Sequence, residues 1–283
     1  MADSTKDHAD ELTLQEAADL LGVHYMTAYR YVRTGRLVAE RRGKQWYVPR
    51  SGLTALREAN APGRKKHGGT SRHRDYAAEL AVFLVEGDET EAWRLIQNAL
   101  ASAFTPEQLY LDALAPAMRS VGDQWETGRI SVADEHRASA LASRLVGRLG
   151  PLFTRRGPTR GLIVLATPTG DRHGLATALL ADPLRGRGFT VADLGADTPA
   201  ASFAEIVTNE SRTSAVGIAV SVAVDDDIVS ETIGAIHAAR EVPVLLGGRA
   251  ITDAAHAARL GADAYSENAT SALAWFDSVI ASS

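Results

Sequence analysis

The chain has 283 residues, 45% of them apolar, with a net charge of −5 and no cysteine. That length predicts two or three domains with real cores, and the missing thiols exclude disulfides, thiolate-zinc sites and thiol catalysis. No apolar run approaches the ~20 residues of a membrane span and the N-terminus has no apolar signal region, so the expectation is a soluble, cytoplasmic protein with no membrane partner.

The charge is uneven. Between His24 and Arg50 seven Arg or Lys residues face the single acid Glu40, which suggests a local nucleic-acid surface on an acidic whole. Leu12 to Gly22 reads as a capped helix, with Thr13 as N-cap, Glu16 three residues on and Gly22 as the stop. A second helix, His24 to Val32, is expected to turn Met26, Tyr29 and Val32 inward, with Thr27, Arg30 and Arg33 on the other face. Two helices around a short Gly-containing turn make a helix-turn-helix, whose second helix enters the major groove. Glu40 to Val48 then reads as a hairpin with a basic tip at Arg42-Gly43-Lys44, a wing, and Leu53 to Ala59 resumes a helix. This stretch, residues 11–58, resembles the winged helix-turn-helix domains of MerR-like and excisionase-like regulators. Arg30, Arg33, Arg41, Arg42 and Lys44 are expected to neutralise phosphates of a double-stranded DNA operator, and Tyr25, Thr27 and Arg30 to read base edges. A solvated basic domain is the plainer alternative.

Residues 59–75 read as a flexible basic linker: Ala59 to Thr70 has no apolar side chain larger than Ala but carries Pro62, three Gly and three basic residues,. Residues 76–150 then predict a four-helix bundle, with helices at Tyr76 to Glu86, Glu89 to Ala103, Pro106 to Gly128 and Val132 to Leu149 joined by short connections. Trp125 falls near the end of the third helix, and Glu135 and His136 fall in the first turn of the fourth. All three therefore meet at one end of the bundle.

From residue 159 to 283 apolar runs alternate with helical stretches. Runs at Leu162 to Ala166, Val191 to Leu194, Val216 to Val220, Val242 to Leu246 and Ala262 to Tyr265 imply a doubly wound parallel sheet, flavodoxin-like or Rossmann-like. The first strand opens into Thr-Pro-Thr-Gly-Asp-Arg-His, which places Asp171 and His173 in the crevice beyond a carboxyl strand end, where such sheets bind ligands. An acid two residues before an exposed His can accept one ring N–H and leave the other nitrogen facing outward as a ligand. Alone, such a pair is more often a solvated turn or a helix cap than a metal site.

The Trp-x9-Glu-His of the bundle is similar to the helical cap signature of the adenosylcobalamin-dependent photoreceptor and repressor family. Asp171-x-His173-x-x-Ala176, Ser221-x-Ala223 and Gly247-Gly248 resemble the Asp-x-His-x-x-Gly, Ser-x-Leu and Gly-Gly pattern of cobalamin-binding domains shared with methionine synthase and some mutases. The resemblance implies cobalamin, as adenosylcobalamin, with His173 as lower axial ligand on cobalt and Asp171 holding it. It also implies that Ser221 hydrogen-bonds the displaced base, that Gly247 and Gly248 let the tail pass, and that Trp125, Glu135 and His136 cover the upper face. Three positions depart from the pattern: Ala176 replaces Gly, Ala223 replaces Leu, and Glu126 stands where photoreceptor members have a His that takes the cobalt after photolysis, leaving His136 as the substitute upper ligand. The expected function is a non-enzymatic DNA-binding regulator that senses cobalamin, with or without light, by changing between oligomeric states, dimer or tetramer. The alternatives are a corrinoid carrier for methyl transfer or isomerisation, and a regulator whose degenerate pocket takes another ligand or none.

Overall fold

The computed structural model describes residues 11–21, 25–33, 37–43, 45–53, 74–102 and 104–281. The chain divides into two compact units, Met1–Arg72 and His73–Ser283. In the first, β1 (Glu11–Thr13), α1 (Leu14–Leu21), α2 (Tyr25–Arg33), β2 (Glu40–Arg42) and β3 (Gln45–Pro49) follow in order, and the strands form an antiparallel sheet β1-β3-β2. Thr13 and Glu16 cap α1 reciprocally: the Thr13 N–H donates to the Glu16 carboxylate at 2.8 Å, and Thr13 Oγ1 accepts from the Glu16 N–H at 3.3 Å,. Gly43, at φ +66°, turns the wing hairpin.

The core of this unit differs from expectation in one helix. Ala28 and Tyr31 are its buried residues, and Tyr25, Tyr29 and Val32 pack partly buried against the same cluster. The inward face thus carries 25-28-29-32, the i, i+3, i+4, i+7 stripe, with Tyr31 buried at its flank,, so Tyr25 belongs to the packing surface and not to the base-reading face. β1 was not expected; its three residues pair with β3 through Leu12 opposite Val48. The helix after the wing is seen at 50–53; the rest of Leu53 to Ala59, residues 59–73 of the linker and Lys44 lie outside the described residues.

The second unit begins with the bundle: α3 (Tyr76–Glu86), α4 (Glu89–Ala101), a composite α5 and α6 (Val132–Leu149). Helix α5 runs Pro106–Gln108, then a π turn Leu109–Leu114, then Ala115–Glu126. Pro116 is the local cause, because it cannot donate to Asp112 and its ring crowds that carbonyl; the Ala115 N–H bonds to Tyr110 O, five residues back,. Ser131 and Asp134 form the capping box that starts α6.

After a 3-10 turn, Gly150–Phe153, come β4 (Leu162–Pro168), α7 (Leu175–Gly186), β5 (Thr190–Thr198), α8 (Ala200–Asn209), β6 (Thr213–Ala219), α9 (Asp226–Ala239), β7 (Val244–Gly247), α10 (Ala254–Arg259), β8 (Ala264–Ser266) and α11 (Ala269–Ala281). The strands are parallel in the order β5-β4-β6-β7-β8, the flavodoxin-like winding. All of β4 is buried: Val164 and Ala166 face the cluster holding α8, α9 and α10, while Ile163 and Leu165 face Ala181 and Leu184 of α7 and Phe276 of α11.

Helix α7 has two apolar faces. Ala181 and Leu184 pack on the sheet, whereas Leu175, Ala178 and Leu179 pack on the bundle core. The seam is closed at its base by polar groups. Tyr110 Oη, set inward by the π turn, donates to Asp182 Oδ2 at 2.8 Å, and Arg185 donates to Asp182 Oδ1 at 2.8 Å. Arg187 joins Glu107 at 2.6 Å and also pairs with Asp277.

Candidate functional site

Strand β4 ends at Pro168, and the loop 169–174 leads into α7, so its side chains gather at the carboxyl edge of the sheet beside the bundle seam. Asp171 is fully buried. One carboxylate oxygen, Oδ1, accepts from the His173 N–H at 3.0 Å and from His173 Nδ1 at 2.9 Å; the other, Oδ2, accepts from the Ser221 N–H at 2.5 Å. A single carboxylate therefore ties the ends of β4 and β6 together. Accepting from Nδ1 fixes the imidazole in the Nδ1–H tautomer and leaves Nε2 with its lone pair, on a ring whose side chain is 44% exposed,.

The residues around this core have separate origins. Ser221 lies half-buried just past β6, and Ala223 and Ala176 are both exposed, so the methyl at Ala176 is not packed into the protein. Gly247 ends β7. A Cβ there would stand 2.6 Å from Ser266 Oγ, and one at Gly248, where φ is +107°, would stand 2.4 Å from Val220 O. The expectation for these glycines was room for a ligand's tail; in this structure the chain's own backbone already requires both.

At the end of the bundle, Trp125 is 43% exposed. Glu135 takes the Ser139 hydroxyl at 2.7 Å and His136 Nδ1 at 2.6 Å, while His136 itself projects into solvent. Glu126, the residue after the Trp, pairs with Arg249, which also reaches Asp123 at 2.8 Å. Arg249 directly follows Gly247-Gly248, so the bundle tip that carries Trp125 is tied to the loop at the sheet edge. Sequence reasoning missed Arg249; its legible trace was a pair of acids, Asp123 and Glu126, three residues apart on one helix face. Thr167 and Asp197 were missed too, although a Thr at the end of an apolar run and an Asp after a strand's Gly were visible signals.

On the first unit, Arg42 is occupied within the protein: it bonds Glu11 at 2.7 and 3.0 Å and Glu40 at 2.8 Å, and lies over the Tyr47 ring. It is therefore not the free phosphate contact expected of it. Arg41 is exposed on β2. The side chains of Met26, Thr27, Arg30 and Arg33 lie outside what the structure describes.

Comparison with known proteins places this architecture. A B12 binding domain model matches residues 76–149, a second B12 binding domain model matches residues 161–274, and a helix-turn-helix domain model matches residues 11–61. The dimethylamine corrinoid protein of Methanosarcina barkeri is 30% identical over 201 residues, covering 69% of this chain and 93% of that protein. The chain belongs to the B12-binding corrinoid protein family. Trimethylamine corrinoid protein 1 of Methanosarcina acetivorans is 26% identical over 198 residues, covering 68% of this chain and 91% of that one. The fold matches the solved monomethylamine corrinoid protein of Methanosarcina barkeri at a TM-score of 0.62 and 21% identity, covering 70% of this chain and 95% of that chain. These relatives narrow the photoreceptor resemblance to what it shares with them, the corrinoid-binding architecture.

The residues present fit a corrinoid. A buried carboxylate holds Nδ1 of a partly exposed imidazole, which leaves Nε2 as the nitrogen a metal could take, at the carboxyl edge of the sheet,. No helix among the described residues is long and apolar enough to cross a membrane.

Proposed function

We propose that the chain is a non-enzymatic, corrinoid-responsive DNA-binding regulator. The observation that carries this reading is architectural. A corrinoid relative is spanned almost completely by 201 residues of this chain, and a helix-turn-helix domain match at residues 11–61, with a three-stranded winged sheet, precedes the two B12 binding domain matches at 76–149 and 161–274. A carrier has no use for a recognition helix. His173 Nε2 would hold the cobalt of a bound cobalamin, with Asp171 directing the imidazole through Nδ1; Ser221 would receive the displaced base, and Trp125, Glu135 and His136 would cover the opposite face. When bound, the corrinoid supplies a cobalt centre with exchangeable axial ligands. Corrinoid binding then shifts the protein between oligomeric states, and pairing two small basic modules on an operator raises affinity through effective concentration. Adenosylcobalamin is the proposed form, and light the proposed trigger, by the resemblance of the cap motif.

A second reading is favoured by the names of the relatives, which are methylamine corrinoid proteins: a corrinoid carrier for methyl transfer, with the N-terminal unit as an added module. One experiment separates the two. The full chain is loaded with adenosylcobalamin in the dark, passed through gel filtration, illuminated with green light and rerun, with and without selected double-stranded DNA. Retained colour, a spectrum altered in His173→Ala, and a corrinoid-dependent change in assembly and DNA affinity are the results expected of the regulator. Retained colour with no DNA binding favours the carrier, and a colourless protein defeats both corrinoid readings.

A further inference from the structure

The loop that presents His173 is held from below by residues that do not touch the imidazole. Asp171 O accepts from Thr167 Oγ1 at 2.5 Å and from the Asp197 N–H at 2.8 Å, and Asp197 Oδ1 accepts from the Gly170 N–H at 2.8 Å. Thr167 is fully buried. Asp197 lies where β5 carries extra residues against β4, the register running from Ala166 opposite Gly195 to Pro168 opposite Thr198. At φ +55° it is the one non-glycine residue with positive φ among those described. Left-handed backbone costs an L-residue free energy that the surrounding bonds must supply, and bulges of this kind re-aim groups beside sites.

We propose that Asp197 is the positioning residue for the axial histidine: its left-handed backbone and its carboxylate hold the Gly170 N–H and the Asp171 carbonyl, the peptide groups on either side of the Gly170–Asp171 step, and through them the direction of the Asp171–His173 pair. The proposal rests on the corrinoid reading of this site. Without the Asp197 carboxylate, Gly170 loses its acceptor and the loop samples orientations in which Nε2 is misdirected. Asp197→Asn keeps an acceptor and tolerates the left-handed region, whereas Asp197→Gly accepts the backbone angle without strain and removes the carboxylate, and with it the Gly170 acceptor and the 3.9 Å pairing with the exposed Arg172,.

The full chain, labelled with 15N-histidine and loaded with cob(II)alamin, reports the axial nitrogen directly by electron paramagnetic resonance. A 15N-imidazole on cobalt splits the lines into doublets, whereas the cofactor's own base gives triplets. Wild type and Asp197→Asn are expected to give doublets. In Asp197→Gly the histidine-ligated share should fall about tenfold, the scale of one lost hydrogen bond to a charged group, while the urea midpoint of the cofactor-free protein moves little. An undiminished doublet in Asp197→Gly overturns the positioning role. A wild type that binds cob(II)alamin without a doublet overturns the assignment of His173 as the cobalt ligand, and one that binds none overturns the corrinoid reading itself.

Discussion

Replacing Asp171 by Asn changes one atom, and the geometry makes that change costly in either orientation of the amide. The carboxylate is fully buried and meets three donors: the His173 N–H at 3.0 Å and Nδ1 at 2.9 Å on one oxygen, and the Ser221 N–H at 2.5 Å on the other. If the amide oxygen faces His173, the NH2 is driven against the Ser221 N–H and a buried donor loses its acceptor, at about 1–3 kcal/mol. If the amide is flipped, the NH2 opposes the His173 N–H and donates to Nδ1, which moves the ring proton to Nε2 and removes the lone pair needed for a metal. The expected result is a loss of about 2–3 kcal/mol in urea unfolding followed by tryptophan fluorescence, because the lost bonds are charge-assisted. Bound cobalamin should also lose its histidine-ligated spectrum. A variant within about 0.5 kcal/mol of wild type, with the same spectrum, would refute the claim that this carboxylate organises the site.

Two further substitutions test the seam and the sheet edge. Burial first, and the hydrogen bond to Asp182 second, raise the pKa of the Tyr110 phenol above its ordinary 10. The folded state therefore holds that proton more tightly than the unfolded one, so this contribution is complete below pH 10 and is lost as pH rises above it,. Tyr110→Phe should cost about 1.5–3 kcal/mol at neutral pH, and the gap to wild type should narrow above pH 10 in denaturation curves; a gap that stays constant with pH rejects the assignment. Gly248→Ala places a methyl 2.4 Å from Val220 O at φ +107°, a strain and overpacking cost of about 3 kcal/mol or more. The melting temperature should drop by roughly 6–12 °C, whereas Gly128→Ala, with φ +69° and no neighbour within 4 Å, should lose only about 1–2 kcal/mol.

Much of the fold was legible because its signals are local. The strand β4 is an unbroken apolar run, and parallel strands covered on both faces have no other pattern. The bundle helices announce their starts through Asp75, Asp88, Thr105 and Ser131, each of which accepts a backbone N–H three residues on,. Pro116 carried the π turn in plain view, although its consequence, Tyr110 reaching Asp182 on α7, depends on packing. The strand β1 was hidden because three residues give no periodicity; Thr13 was read, correctly, as a cap, which conceals the strand that leads into it.

The candidate site divides in the same way. Asp171 and His173 are two residues apart and their bond follows from the spacing, whereas the bond from Ser221 spans fifty residues of chain and became visible only with the strand order. The reason for Gly247-Gly248 was assigned to a ligand because the sequence shows the missing side chains and not the Val220 and Ser266 atoms that exclude them. Arg42 illustrates the opposite error: a basic residue at a wing tip reads as a phosphate contact until its acidic neighbours, Glu11 and Glu40, are brought beside it by the sheet.

Glu126 bears on how the bundle is fastened to the sheet. At the position where the cap motif led one to expect a histidine, the chain places a carboxylate paired with Arg249, both more than two-fifths exposed. An exposed ion pair contributes roughly 0–1 kcal/mol and weakens with salt. The opposite end of the same seam is closed by the buried Tyr110–Asp182 bond and by the Leu179 contacts with the bundle core, each worth more than the surface pair. The bundle is therefore fastened to the sheet unequally, firmly at the base and lightly at the tip beside Trp125. Any separation of bundle from sheet is expected to begin at the tip, where Arg249 meets Asp123 and Glu126, and raising ionic strength acts on that end before it acts on the base.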